Sequence, residues 1–228
     1  MNPPNRLSSQ IQCVLFDLDG TLADTAPDLV APIQLMRQER GLSPMAFSDL
    51  RPFASMGARG LIGKGLGVSK ESREFPALRD EFLARYEDNI CVQTTLFPGI
   101  AEVLKTLDQQ QIAWGIVSNK IERYVRLLAH ALQLDTRASC LVGGDSTGTP
   151  KPHPAPLLLG AKASNFEPAD CMYVGDDLRD VQAGKAAKMV TVAAAYGYNG
   201  ADDPADAWGA DFTIQSALDL LPLLMLAR

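Results

Sequence analysis

Five short runs along the chain are almost continuously apolar and rich in β-branched residues. They are "IQCVLF" (11–16), "IAWGIVS" (112–118), "SCLVGG" (139–144), "CMYVG" (171–175) and "MVTVAAA" (189–195). Runs without polar alternation suit strands covered on both faces. From residue 99 onward they are separated by segments in which apolar residues recur every three or four positions. Ile100, Val103, Leu104 and Leu107 do so in "GIAEVLKTLDQQQ", and "KIERYVRLLAHALQL" and "APLLLGAKAS" behave likewise. This strand–helix alternation predicts an α/β fold with a doubly wound parallel sheet. Met36, Trp114 and Leu127 are expected in the core, and His130 is expected to be structural on its helix.

The stretch from about 24 to 95 breaks the alternation. "APDLVAPIQLMRQERG" has amphipathic spacing and closes on Gly41, and "SREFPALRDEFLARYEDNI" is a second long helix with Pro76 near its first turn. The spacing predicts an all-helical insertion after the first strand, a cap spanning 23–96, with a core made of 1–22 and 97–228. "LADTAP" and "QTTLFPG" are its two connections. Asp24 is expected to cap the first inserted helix, with Pro27 in the first turn. "GARGLIGKGLG" (57–67) looks at first like a phosphate-binding loop. It lacks the first glycine, where Ala58 stands, and the Ser or Thr after Lys64, where Gly65 stands. A flexible cap loop is expected there, with Gly57, Arg59 and Arg51 facing the substrate; arginine suits a carboxylate.

The 228 residues allow one large domain, or one domain with an insertion. A net charge of −6 without a basic run argues against nucleic acid and anionic membranes as partners. "MNPPNRLSSQ" has no apolar signal region, and "LLPLLML" is too short to span a bilayer. Cys13, Cys91, Cys140 and Cys171 form no C-x-x-C pair, so free thiols in a reducing cytoplasm are expected.

In an open parallel sheet, ligands bind beyond the carboxyl ends of the strands. Asp17 and Asp19 follow the first strand. Ser118, Asn119 and Lys120 follow the second. A loop after the third leads to Lys151 in "TPKPHP", and Asp176 and Asp177 follow the fourth in "VGDDLRD". Two carboxylates as close as Asp17 and Asp19 repel each other unless a cation or a reaction uses them. Several carboxylates, one hydroxyl and one lysine match phosphoryl transfer. Oxygen ligands suit Mg²⁺. Asp17 can attack phosphorus. Asp19 can protonate the leaving oxygen and later take a proton from water. Ser118 can bond a phosphoryl oxygen, Lys151 supplies positive charge, and Asp176 completes the metal site. Of Asp177 and Asp180, one is expected near a metal-bound water and the other at a helix cap. His153, between prolines beside Lys151, is assigned no role.

These motifs resemble the haloacid dehalogenase superfamily, in the branch with a helical cap after the first strand. "DLDGT", "VSNK", "KPHP" and "GDDLRD" match its four motifs in order, so the resemblance covers essentially the whole chain. It implies Asp17 as nucleophile and Asp19 as acid/base. It implies Ser118, Asn119 and Lys151 at the phosphate, and Mg²⁺ at Asp17, Asp19 and Asp176, held by carboxylate and main-chain oxygens. "PGI", "KPHPAPLLL", "VGDDLRDVQAGKAA" and "AYGYNG" look most like phosphoglycolate phosphatases. "ASMGARGLI" and "WGAD" also resemble the N-acetylmuramic acid 6-phosphate phosphatases. A small phosphorylated metabolite acted on by a monomer or homodimer is the implied partner. Asp19 argues against a dehalogenase. Leu29 stands where the related mutases carry His. Lys64 and Lys70 show no special signature of a phosphonate hydrolase. A non-enzymatic receiver domain would place its acids on different strands and lack the insertion.

Overall fold

A computed structural model describes residues 11–199 and 204–226; the N-terminal stretch 1–10, residues 200–203 and the last two lie outside them. In chain order the first half contains β1 (Cys13–Phe16), β2 (Ala23–Asp24), α1 (Ala26–Glu39), α2 (Phe47–Leu50), α3 (Gly57–Leu66), α4 (Phe75–Asp88) and β3 (Thr95–Leu96). Then come α5 (Ile100–Gln109), β4 (Ala113–Val117), α6 (Glu122–Ala131), β5 (Leu141–Val142), α7 (Ala155–Ala163), β6 (Cys171–Gly175), α8 (Leu178–Ala186), β7 (Val190–Ala194), β8 (Phe212–Ile214) and α9 (Leu220–Leu226).

Six strands form one parallel sheet in the order β5-β4-β1-β6-β7-β8. β1 lies between β4 and β6, with Cys13 opposite both Ala113 and Cys171. Successive side chains of β1 enter opposite layers. Val14 and Phe16 pack with Val103, Leu107, Val125 and Leu128, whereas Cys13 and Leu15 pack with Leu157, Ala161 and Ala183. Both faces are dry, which is why the strands read as unbroken apolar runs. The four cysteines are free thiols.

Three expectations about the main body change. A sixth strand, β8, was not legible: its three residues follow "WGAD" and lie at the sheet edge. Leu127 is exposed rather than core, because Tyr124, Val125, Leu128 and Ala129 form the buried stripe of α6. The strand expected at 139–144 shrinks to two residues. Met36 and Trp114 are buried, and exposed His130 pairs with Asp135 at 2.8 Å. No helix among the described residues is long and apolar enough to cross a membrane.

Between β2 and β3 the chain is helical. α1 packs on α3 and α4, and these two pack on each other. The glycine-rich stretch expected as a flexible loop is helix α3. Its glycines serve close packing: a Cβ on Gly65 would stand 2.3 Å from Ile33 Cγ2 of α1. The two connections pair as an antiparallel ribbon, Ala23 with Leu96 and Asp24 with Thr95. Asp24 is not the helix cap; Thr25 holds that position without a side-chain cap bond. Asp24 instead accepts the Tyr198 hydroxyl at 2.8 Å and faces Arg51 at 3.6 Å. Arg51 lies over the Tyr198 ring, so it braces the junction and does not line the cavity as expected. Buried Asp28 accepts N–H bonds from Val92, Gln93 and Thr94 and the Thr94 hydroxyl, all at 2.7–3.0 Å. It ties α1 to the returning connection.

Candidate active site

The parallel sheet brings the four motif segments to one edge. Asp17 leaves β1 with its N–H on Val174 O at 2.9 Å. Gly20 turns the chain with φ 87°, and a Cβ there would meet Asp176 Oδ2 at 2.1 Å. Only glycine lets the first loop press against the fourth. The same turn aims the Thr21 hydroxyl at Asp176 Oδ1 (2.9 Å), while the Tyr198 N–H donates to Oδ2 (2.8 Å).

Lys151 is buried among acceptors. Its Nζ stands 3.0 Å from Asp17 Oδ1 and 2.7 Å from Asp180 Oδ1. It donates to the Tyr173 hydroxyl (2.7 Å) and Val117 O (3.2 Å), and the Tyr173 hydroxyl donates in turn to Val117 O at 2.7 Å. Burial alone would depress the ammonium's pKa; Asp17 and Asp180 reverse that and hold it above the ordinary value. Asn119 commits both ends of its amide to the Lys151 backbone, at 2.8 and 2.9 Å, so its side chain fixes the lysine loop. His153 accepts the Ala155 N–H and serves the turn before α7. Ser118 is buried and lines the cavity described below.

Asp17, Asp176 and Asp180 each offer a carboxylate oxygen within 4.8 Å of the others. Burial first, then the charges of Asp17 and Asp180, push the Asp176 carboxyl well above its ordinary range. Burial likewise raises Asp180 to about 7, against the opposing pull of Lys151. Asp17 Oδ1 is buried without a hydrogen-bond donor in good geometry. Such an acidic surplus around Asp17 Oδ1 fits a hard divalent cation. Asp180 belongs to this cluster and also completes the capping box of α8, whose N-cap is Asp177. The Asp19 carboxylate lies outside the cluster. It accepts from Lys120 Nζ at 3.1 and 3.2 Å and from Thr25 Oγ1 at 2.5 Å.

These groups open into a cavity of ≈ 430 Å³. The sheet edge supplies Asp17, Asp19, Ser118 and Lys151. The helical segment supplies Leu29, Ala54–Gly57 and Arg59. Arg179 bridges the two sides, bonded to Asp177 at 2.7 Å and to Ser55 O at 3.1 Å. Sequence reading assigned nothing to Tyr173 and Arg179. A tyrosine inside an apolar run reads as core, and an arginine in "DDLRD" carries no spacing signal. Lys120 follows Ser118 and Asn119 directly, yet its pairing with Asp19 has no local signature either.

A family model described as haloacid dehalogenase-like hydrolase matches residues 14–194. An N-acetylmuramic acid 6-phosphate phosphatase of Pseudomonas putida is 40% identical over 92% of this chain and 95% of its own length. A phosphoglycolate phosphatase of Xanthomonas campestris is 42% identical over 90% of this chain and 92% of its own. The crystal structure of a predicted phosphoglycolate phosphatase from Haemophilus somnus superposes with a TM-score of 0.83 at 27% identity, covering 95% of this chain and 99% of that one. The motif order, the sheet, the inserted helices and these similarities agree: the chain belongs to the haloacid dehalogenase-like hydrolases.

Proposed function

We propose that the protein is a cytoplasmic, Mg²⁺-dependent phosphatase of small phosphate monoesters, acting as a monomer or homodimer, with 2-phosphoglycolate as its substrate. The observation that carries the chemistry is Asp17 itself. Its carboxylate sits beside Lys151 at 3.0 Å, in a cluster with Asp176 and Asp180, and faces the same cavity as Asp19. Asp17 attacks phosphorus, a P–O bond to Asp17 forms, and the bond to the leaving oxygen breaks. Asp19, which must enter this step protonated, gives that oxygen its proton, releasing an alcohol. Asp19 then takes a proton from water as the water oxygen attacks phosphorus, freeing inorganic phosphate and Asp17. Ser118 and Lys151 meet the phosphoryl oxygens, and Asn119 keeps Lys151 in place. Asp17 and Asp176, with Asp180 adjoining and the main-chain oxygen of Asp19 that the family resemblance implies, would hold Mg²⁺, which would supply positive charge against the phosphate.

The segment 23–96 acts as a cap, and its Gly57 and Arg59 receive the part of the substrate beyond the phosphate. Phosphoglycolate would place its carboxylate there. A second reading, N-acetylmuramic acid 6-phosphate, is supported by comparable similarity to a phosphatase named for it and by a cavity far larger than a two-carbon ester fills. Purified protein assayed with Mg²⁺ on 2-phosphoglycolate, N-acetylmuramic acid 6-phosphate and 4-nitrophenyl phosphate separates these. The highest kcat/KM is expected for phosphoglycolate. A clear preference for the amino sugar replaces the first reading with the second, and no turnover of any ester removes both.

A further inference from the structure

Lys120 has no part in the steps above, yet it is among the most enclosed cations in the molecule. Its side chain is 8% exposed and its ammonium contacts both oxygens of Asp19. On its other side stands Tyr86 of α4, with Nζ 4.7 Å from the ring centroid. Tyr86 is buried, stacks on Phe82, and meets Tyr124 of α6 edge to face at 5.8 Å. It does not line the cavity, and its buried hydroxyl has no hydrogen-bond partner in good geometry. Tyr86 meets the Lys120 ammonium with its ring face, and its hydroxyl bears on the same ammonium.

The two acids of "DLDGT" thus have separate lysines. Lys151 stands on Asp17 and Asp180, both within the sheet edge. Lys120 stands on Asp19 and is covered by a helix of the inserted segment. We propose that Lys120 is a positioning residue for Asp19, and that Tyr86 makes this positioning depend on α4 resting against α6. The ammonium pins the Asp19 carboxylate toward the leaving oxygen, and the tyrosine ring pins the ammonium. A displacement of about 1 Å in such a group can cost on the order of 10²-fold in rate. The proposal rests on the reading of Asp19 as general acid.

That dependence provides the test. Phosphoryl transfer to Asp17 needs a proton for an alkyl leaving group and none for 4-nitrophenolate, and kcat/KM reports this step without the later hydrolysis. Lys120→Met, Lys120→Arg and Tyr86→Leu are compared on an alkyl phosphate from the panel and on 4-nitrophenyl phosphate, each in wild-type and Asp19→Asn backgrounds. Lys120→Met should lower kcat/KM by roughly 10²-fold on the alkyl ester, within the range of general acid catalysis, and by less than about 10-fold on the aryl ester. Lys120→Arg should restore most of the loss, and Tyr86→Leu should lower the alkyl ester selectively. In the Asp19→Asn background Lys120→Met should add no more than about 2-fold, the scatter of independent sites. Equal losses on both esters overturn the proposal. So does a rise in KM with kcat unchanged, which would make Lys120 a substrate contact, or a full Lys120→Met effect without Asp19. If Asp19→Asn is impaired and folded Lys120→Met is not, the proposal alone fails. If Asp19→Asn turns over the alkyl ester normally, the general-acid reading fails with it. Circular dichroism checks the fold, and Tyr86→Leu carries the same substrate comparison should Lys120→Met not fold.

Discussion

The sheet edge and the inserted helices hold their charges in opposite ways. At the edge, Lys151 and Asp180 are each 2% exposed, and the side-chain partners of Lys151 come from the strands of the sheet and the segments that follow them. In the helical segment the ion pairs Arg40–Glu81 and Arg85–Glu39 lie on the outside, and Arg59 is exposed at the cavity mouth. Buried charges survive only when paired and oriented, so the edge is rigid and preorganised for one reaction. Exposed charges on a helical layer cost little to change, as the cap role proposed for that layer requires. Two similar phosphatases named for different substrates fit this division.

Substitutions on the two sides should therefore differ in kind. Asp17→Asn should lower kcat by roughly 10⁴-fold or more for every ester while the circular dichroism spectrum is kept, as expected when a nucleophile is removed. Turnover near wild type would sink the covalent mechanism and the special status of the edge. Chelation should abolish activity and Mg²⁺ restore it, with Ca²⁺ inhibitory because its looser shell misplaces the reacting groups. Full activity after exhaustive chelation would show that the acidic cluster has another purpose.

On the helical side, Arg59→Ala should reduce kcat/KM about tenfold for a carboxylate-bearing ester, some 1.4 kcal/mol, because an exposed cation is screened by water. 4-Nitrophenyl phosphate should be nearly unaffected. Equal losses for both would mean that Arg59 supports the fold. Stability sharpens the comparison where the regions join. Asp28→Ala strips three backbone N–H groups of their acceptor and should cost about 3 kcal/mol, lowering Tm by roughly 6–12 °C. An unchanged Tm would show that the ribbon alone holds the junction.

The smallest effect concerns the buried acids of the edge. Asp176 and Asp180 have folded pKa values raised above the ordinary carboxylate value, Asp180 to about 7. Metal-free folded protein then binds more protons than the unfolded chain. This contribution is complete below the unfolded pKa near 4 and is lost as pH rises through about 7. Metal-free Tm should fall by a few degrees between about pH 5.5 and 7.5, and Mg²⁺ should stabilise more at the higher pH. A metal-induced shift independent of pH would separate the ion from these carboxylates.

The alternation of the first five sheet strands with helices, and most of the residues that meet at the sheet edge, follow from the sequence by itself. Strands buried on both faces announce themselves as local apolar runs, and in a parallel sheet whatever follows each run reaches the same edge. Asp17, Ser118, Lys151 and Asp176 could thus be named one strand at a time. Tertiary structure alone decided the rest. It made "GARGLIGKGLG" a helix, because Gly65 admits Ile33 of α1. It moved Asp24 and Arg51 to the junction with Tyr198, folded the backbone of 92–94 onto Asp28, and set Lys120 between Asp19 and Tyr86. These pairs are separated by tens to more than a hundred residues. Their energy lies in the meeting of two surfaces, and no local pattern of apolar and polar positions encodes which surfaces will meet.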